Sequence, residues 1–338
     1  MAGSLVPTGL RIRPLLRHGV TSAWVWAPDG AAIWYYHRPS ADTAGTWAVN
    51  VTTGLASRLT PIWGDFTRSG RLAFVWNPQA QATTIHELAS GASWNLAPSA
   101  PDLVADADER RIAYSVMVPG ADPSFVRPAR LYVADLDGSG RTLVGKLIGG
   151  VTNWTSRGEL LSVGREALDA PTMARIVGLD GTVQAQWPLG KHVQSARLSP
   201  HGRFLAYTSA FDAPDSTGPY VLDLRSGVRR ALPLEGSVRW LADERGLLVI
   251  PMRRRTSDAF QVHHISIDDL TVEPFTDPHA HPIDLEFFDW KLDPTGSALA
   301  YRQARTGELR VLRWGRTTGD PDDLERLLRF DRPGDTTS

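Results

Sequence analysis

The feature that most constrains the fold is a segment that recurs seven times along the 338-residue chain. In each copy a short apolar stretch, a turn and a second apolar stretch follow one another. The copies read APDGAAIWYY, TRSGRLAFVW, ADERRIAYSV, TSRGELLSVG, SPHGRFLAYT, DERGLLVIPM and DPTGSALAYR. Their turn residues, 39 to 50 residues apart, are Gly30, Gly70, Glu109, Gly158, Gly202, Gly246 and Gly296. A period of this length is typical of the four-stranded blade of a β-propeller.

Each repeat contains signals for four strands. The first strand carries an apolar residue shortly before the turn, such as Trp26 or Trp154, and the second has a small residue followed by an aromatic one, as in Ala206-Tyr207. A third strand such as residues 131–136 and a short fourth strand such as residues 58–60 follow. We therefore predict an all-β fold, a seven-bladed β-propeller of four-stranded antiparallel blades, with six or eight blades as alternatives.

The two ends of the chain suggest how the ring closes. Residues 8–16 resemble residues 53–60, which form a turn and a fourth strand, yet no first three strands precede them. The last repeat has only three strands, so we predict that residues 8–18 complete the last blade of a single domain spanning 8–316. The alternative is that residues 324–330 supply this strand. Residues 317–338 are otherwise predicted to be a tail, a short helix followed by disorder.

Composition excludes several classes of protein. A formal charge of −1 and a pI near 6.8 give no positive field for binding nucleic acid. The absence of cysteine excludes disulfides, thiolate zinc sites and thiol nucleophiles. We find neither an apolar core of signal-peptide length nor a run of about 18 apolar residues that could span a membrane. We therefore expect a soluble cytoplasmic protein, unless a leader has been removed.

The repeat resembles that of the TolB-like propellers over about residues 8–315. The shared features are the Ser/Ala-Pro-Asp/His-Gly turn, the Ala-Tyr step in the second strand and the Tyr-Val-x-Asp-Leu pattern of the third, as at residues 132–136 and 220–224. This resemblance implies a protein-interaction module, although related propellers precede the hydrolase domain of prolyl-oligopeptidase-like peptidases. The chain has no Gly-x-Ser-x-Gly elbow, the sequence in which such peptidases carry their nucleophile. We therefore expect no peptidase activity.

Two motifs invite a metal-site interpretation. His279 and His281, with Asp284 close behind, could bind zinc or iron, and clustered oxygens at residues 135–140 or 102–109 could bind calcium. A short His-x-His in a loop is more often solvated, and Asp-Gly is a common turn. We therefore predict no metal, no cofactor and no catalytic residue.

The strand order places any binding site on one face of the disc. Connections between second and third strands are long in this chain, whereas the turns on the opposite face are short, and long loops on a rigid scaffold commonly bind partners. The candidates in these long connections are Phe125, Phe211, Arg253, Arg254 and Arg255. Loops between repeats rim the central channel and form a polar funnel, whose candidates are His18, Trp63, Asp102, His192, Glu235, His281 and Asp284.

These observations predict a non-catalytic protein-binding or scaffolding propeller that presents its loop-rich face and funnel to a protein partner, not to nucleic acid. Two alternatives stay open. One is a lactonase-like hydrolase or lyase with a metal in the funnel, and the other is a sensor of a small polar ligand or glycan.

Overall fold

The computed structural model describes residues 11–16, 24–38, 40, 42–98, 102–118, 128–210, 217–252 and 259–314. Within these ranges the chain forms 27 β-strands, arranged in five four-stranded sheets and one seven-stranded sheet. The same ranges contain no helix that is both long and apolar enough to cross a membrane.

The sheets follow one another along the chain, and we number them 1 to 6. The first strand, β1 (Arg11–Leu16), belongs to sheet 6. Sheet 1 contains β2 (Trp24–Trp26), β3 (Ala32–His37), β4 (Gly45–Asn50) and β5 (Ala56–Thr60). Sheet 2 contains β6 (Asp65–Phe66), β7 (Leu72–Asn77), β8 (Ala82–Glu87) and β9 (Ser93–Leu96). Sheet 3 contains β10 (Val104–Ala105), β11 (Arg111–Met117), β12 (Pro128–Asp135), β13 (Thr142–Trp154), β14 (Leu160–Arg165), β15 (Thr172–Val177) and β16 (Val183–Gly190).

The remaining sheets complete the ring. Sheet 4 contains β17 (His192–Leu198), β18 (Phe204–Ala210), β19 (Gly218–Asp223) and β20 (Arg229–Ala231). Sheet 5 contains β21 (Gly236–Trp240), β22 (Gly246–Pro251), β23 (His263–Ser266) and β24 (Val272–Pro274). Sheet 6 contains β25 (Leu285–Leu292), β26 (Ala298–Gln303) and β27 (Leu309–Arg313), and β1 is its outer strand.

The prediction of seven four-stranded blades is wrong, because the propeller has five four-stranded blades and the seven-stranded sheet 3. The difference lies in β13, whose 13 residues run without a break. Its first part, up to Ile148, pairs with β12, and its second part, from Ile148 onward, pairs with β14. The third and fourth sequence repeats thus share one strand. Gly149 assists this change of partner, since its φ is +133° and a Cβ there would lie 2.5 Å from the Val163 carbonyl oxygen.

The ring closes between the first and last sheets. Strand β1 pairs antiparallel with β27, with Arg11 opposite Arg313 and Ile12 opposite Leu312. Sheets 1 and 6 also share a core cluster that includes Trp24, Val49, Ala300 and Val311. The domain limits 8–316, the tail and the alternative closing strand at residues 324–330 involve segments outside the described residues and stay predictions.

One turn lies elsewhere than the sequence repeat indicates. In the sixth copy the turn residue with positive φ is Glu244 (φ 59°), whose N–H donates to the Leu241 carbonyl oxygen, and not Gly246. Gly246 instead begins β22, where a Cβ would lie 2.1 Å from Nε2 of His264. Its glycine is therefore needed for close packing and not for a turn. The seven turn residues, all with positive φ, are Gly30, Gly70, Glu109, Gly158, Gly202, Glu244 and Gly296.

The two faces of the disc differ in their connections. Each turn residue sits in a five-residue connection that follows an innermost strand, at residues 27–31, 67–71, 106–110, 155–159, 199–203, 241–245 and 293–297. Connections from third to fourth strands, on the same face, have five or six residues. On the opposite face, connections from second to third strands range from 4 to 11 residues, and those leading to the next innermost strand range from none at β13 to ten. We name these the turn face and the loop face.

Candidate binding site in the central channel

Each innermost strand contributes one residue at an equivalent position around the channel. Five residues before each turn residue lie Val25, Asp65, Val104, Asn153, Arg197, Arg239 and Lys291. Three consecutive innermost strands, β17, β21 and β25, therefore carry Arg197, Arg239 and Lys291. Each of the three comes one position before the last residue of its strand, so they lie near the turn face.

The tryptophans of the innermost strands fix this position. Trp26, Trp154 and Trp240 each follow a residue of the equivalent position, and each indole N–H donates to a backbone carbonyl of the preceding innermost strand. The acceptors are the carbonyl oxygens of Lys291, Val104 and Arg197, at 3.1, 3.2 and 3.0 Å respectively. Neighbouring innermost strands are thus held together beside the channel.

Alternation along the innermost strands turns the equivalent position away from the core between sheets and toward the channel: Val238 and Trp240 are buried, whereas Arg239 between them is only partly buried. Sheet 6, which carries Lys291, packs against sheets 5 and 1. Burial lowers the pKa of Lys291, and Arg197 on sheet 4 also lowers it, whereas Asp65 on sheet 2 raises it. Neither sheet 2 nor sheet 4 adjoins sheet 6, so these groups act on Lys291 across the central axis.

Arg239 and Lys291 are held between strands by aromatic rings and carbonyl groups. The Arg239 guanidinium lies 4.8 Å from the ring centroid of Trp290, and its Nε donates to the Trp290 carbonyl oxygen at 3.0 Å. The Lys291 ammonium lies 4.6 Å from the ring centroid of Trp24 and donates to the Trp24 carbonyl oxygen. Burial lowers the pKa of Arg239 to about 9, with a further lowering by Arg197 and an opposing effect of Asp289. Arg239 therefore carries its charge at neutral pH.

The nearby carboxylates offset only part of this positive charge. Asp289 accepts from the Trp24 indole N–H at 2.8 Å and lies 3.3 Å from Nε of Arg302. Asp289 also acts on Arg239 and Lys291, so its charge is shared between two of the three channel cations and a fourth cation. Asp65 stands opposite, and burial raises the pKa of its carboxyl while Lys291 lowers it. Four cations consequently share two carboxylates.

Arg197 differs from the other two cations. Among the residues that the structure describes, its guanidinium forms no hydrogen bond or ion pair. The side chain is exposed to solvent, yet burial among the surrounding strands lowers its pKa. These two properties fit a group that lies in a narrow water-filled channel, where solvent reaches it but the protein surrounds it.

The funnel residues predicted from the sequence have separate local roles where they are described. Trp63 packs against Tyr36 and Phe66, and its ring centroid lies 5.8 Å from that of Tyr36 and 6.2 Å from that of Phe66. Asp102 accepts from the hydroxyl of Ser115 at 2.7 Å. Trp63 thus packs between sheets 1 and 2, and Asp102 is bound to sheet 3.

The other funnel residues lie on the loop face. His192 is exposed at the start of β17, and Glu235 is exposed just before β21. The His281 N–H donates to the Asp277 carbonyl oxygen, and Asp284 lies 3.5 Å from Nε of Arg305. His18 lies outside the described residues. Their joint role as a funnel stays a prediction.

The motifs that invited a metal-site interpretation do not assemble into a coordination site. In the part of the chain that the structure describes, no three His, Asp or Glu side chains come together as a group that could hold a metal ion. This includes His279, His281 and Asp284. The predicted loop-face anchors Phe125, Phe211, Arg253, Arg254 and Arg255 lie outside the described residues.

Sequence reasoning missed the three channel cations, although a signal for them exists. With the turn of the sixth copy placed at Gly246, five positions earlier is Leu241, an apolar residue. With the turn at Glu244, the same count gives Arg239, in line with Arg197 and Lys291. The correct register of one repeat was therefore the missing step.

Comparison with solved structures supports the propeller architecture. An oligogalacturonate lyase in complex with manganese is 13% identical, with 93% of this chain and 95% of that chain covered at a TM-score of 0.63. The Myceliophteria thermophila Cps50 (Swd1) β-propeller domain is 11% identical, with 89% of this chain and 98% of that chain covered at a TM-score of 0.57. The Neurospora crassa Pan2 WD40 domain is 13% identical, with 90% of this chain and 92% of that chain covered at a TM-score of 0.53.

At these identities the likeness shows the fold alone. The similar propellers differ in kind, since a lyase stands beside WD40 propellers. No family model and no curated protein matches the chain. The likeness to TolB-like repeats is therefore one of propeller architecture.

Proposed function

We propose that this propeller is a non-catalytic binding module that presents its loop face to a protein partner. The observation that carries the proposal is the contrast between the two faces. Every connection on the turn face that follows an innermost strand has five residues, whereas second-to-third connections on the loop face range from 4 to 11. Uniform turns are what closing a sheet requires, and connections of varied length on a rigid ring provide a surface that can be specific.

The longest of these connections carry the candidate anchors. Residues 252–262 join β22 to β23 and include Arg253, Arg254 and Arg255. The connections of β11 to β12 and of β18 to β19 include Phe125 and Phe211. Arginine and aromatic side chains are the types that most often dominate the binding energy of protein interfaces.

The test replaces Arg253, Arg254 and Arg255 together by alanine and compares partner capture from the native host by quantitative mass spectrometry. Capture should fall about tenfold or more, because interface arginines commonly contribute over 1 kcal/mol each. The melting temperature should change little, since solvated loop substitutions are usually nearly neutral.

A matched control removes the same number of charges from the turn face. Arg68, Arg110 and Arg245 are exposed there, and their replacement by alanine should leave capture intact. The proposal fails if the turn-face variant loses the partner, or if both variants capture it as well as the wild type.

A further inference from the structure

The channel cations have a consequence that does not depend on the loop face. Arg197, Arg239 and Lys291 occupy the same position on three adjacent innermost strands and act on one another electrostatically. Like charges held close together between protein walls repel one another unless opposite charge compensates them. A bound anion would relieve this repulsion.

The charges within the channel define how much negative charge is missing. Asp289 pairs with Arg302, at 3.3 Å. Asp289 also acts on Lys291 and Arg239, so the three cations and Arg302 share the two carboxylates of Asp289 and Asp65, and two positive charges are left uncompensated. A dianion would neutralise the site.

The donors in the channel fit the oxygens of such an anion. The guanidinium of Arg197 has all its N–H groups available among the described residues. Arg239 commits Nε to a carbonyl oxygen of the next innermost strand and Nη1 to two oxygens of its own strand. Nη2 of Arg239 takes part in none of these bonds. Guanidinium groups bind carboxylate and phosphate oxygens through paired N–H donors, whereas an ammonium such as that of Lys291 adds a compact charge.

The site is also open to a ligand from solvent. Both Arg197 and Asp65 are exposed, although they act on Lys291 across the axis. Water therefore reaches the position where the charges meet. Clefts lined by one sign of charge between low-dielectric walls concentrate counter-ions.

We propose that the turn-face end of the central channel binds a small doubly charged oxyanion, a dicarboxylate or a phosphate, between Arg197, Arg239 and Lys291. The ligand takes N–H donors from Arg197 and from the free side of Arg239, and Lys291 supplies the third charge. The rings of Trp24 and Trp290 hold Lys291 and Arg239 in place for it.

The test measures melting temperature and binding heat for the purified full chain with malonate, succinate, inorganic phosphate, acetate and chloride at matched ionic strength. A dianion should raise the melting temperature more than acetate or chloride, as expected for a ligand that binds only the folded state. A preference for malonate and succinate over phosphate would identify a dicarboxylate site, and the reverse order a phosphate site.

The decisive variant is Arg197→Gln, because this side chain forms no hydrogen bond or ion pair among the described residues. It should weaken dianion binding about tenfold or more through loss of charge-assisted hydrogen bonds. Without added dianion it should melt at a higher temperature than the wild type, because one uncompensated charge has been removed. A substitution that stabilises the free protein and abolishes ligand binding is the signature of a binding site.

A matched control excludes general salt effects, since phosphate also stabilises proteins by exclusion from their surfaces. Arg68→Gln removes an exposed arginine from the turn face and should respond to dianions as the wild type does. The proposal is overturned if no dianion exceeds chloride in the wild type, or if Arg197→Gln responds as strongly as Arg68→Gln.

Discussion

At the scale of single residues, the buried imidazole of His264 gives the protein a defined response to pH. The side chain is 4% exposed, and its Nε2 has no hydrogen-bond partner among the described residues. Burial lowers the pKa of His264, although Glu273, Asp243 and Asp269 each raise it. The folded protein therefore binds a proton at this site less readily than the unfolded chain does.

We predict that the free energy of unfolding falls as the pH drops below about 6.5, the usual pKa of histidine. The sign follows because the unfolded state binds more protons in this range, and one such group changes stability by at most about 1.4 kcal/mol per pH unit. His86 and His263 act in the same direction, since burial lowers the pKa of both. Urea unfolding between pH 5 and 8 measures the slope.

In His264→Asn this slope should be shallower than in the wild type, whereas His201→Asn, an exposed substitution, serves as the control. An unchanged slope in His264→Asn would contradict the assignment. Circular dichroism at pH 8 first establishes that both variants fold.

The backbone conformation of the turn residues is predictable from the sequence at some positions and not at others. Five of the seven are glycine, and positive φ could be expected there. Glu109 and Glu244 adopt the same conformation because their carboxylates are hydrogen bonded to the preceding turn. Glu109 accepts from Nε of Arg71 at 2.8 Å, and Glu244 accepts from the His201 N–H. These contacts join residues about 40 positions apart, so no local pattern predicts them.

At the scale of the strand, the innermost tryptophans act as links between neighbouring sheets. The Trp26 side chain is 9% exposed and its N–H donates to the Lys291 carbonyl oxygen, across the junction where the first and last sheets meet. Ring burial and the hydrogen bond are separable, because phenylalanine keeps most of the apolar area and lacks the donor.

We predict that Trp26→Phe lowers the free energy of unfolding by about 1–2 kcal/mol, the typical cost of an unpaired buried acceptor. Trp26→Ala should cost about 3–5 kcal/mol, because a cavity is added. Chemical denaturation provides both values. Trp76→Phe is the control, since that side chain is 39% exposed and should change stability by less than about 0.5 kcal/mol.

Strand positions were largely predictable, and their grouping was not. The repeat places six of the seven hairpin turns correctly, and in the sixth copy it gives Gly246 where the turn residue is Glu244. The sequence offers no sign that residues 142–154 form one continuous strand, since Gly149-Gly150 there resembles a break. The glycines instead permit close approach to neighbours, with a Cβ at Gly150 lying 2.6 Å from Oδ2 of Asp102. Whether a glycine pair ends a strand or lets neighbouring atoms approach it closely depends on contacts that are distant in sequence.

At the scale of the whole molecule, the ring depends on a pairing between the two ends of the chain. An unpaired edge on β27 would expose backbone donors and acceptors, and β1 covers them. The orphan fourth strand in the sequence predicted this pairing, because the last repeat lacked one strand and the first segment had one in excess. The pairing that closes the ring was thus inferable from counting strands, without any knowledge of side-chain contacts.

We predict that deletion of residues 1–16 lowers the melting temperature by about 10 °C. The pairing joins five residues of β1 to β27, and hydrogen bonds worth about 1 kcal/mol each would sum to several kcal/mol, with about 2–4 °C lost per kcal/mol for a domain of this size class. Deletion of residues 1–10 leaves β1 intact and is the matched control. A synthetic peptide of residues 8–18 added to the shortened chain should restore part of the loss, because the exposed edge of β27 can accept a strand in trans. If the shortened chain melts at the wild-type temperature, as scanning calorimetry would show, β1 does not stabilise the ring.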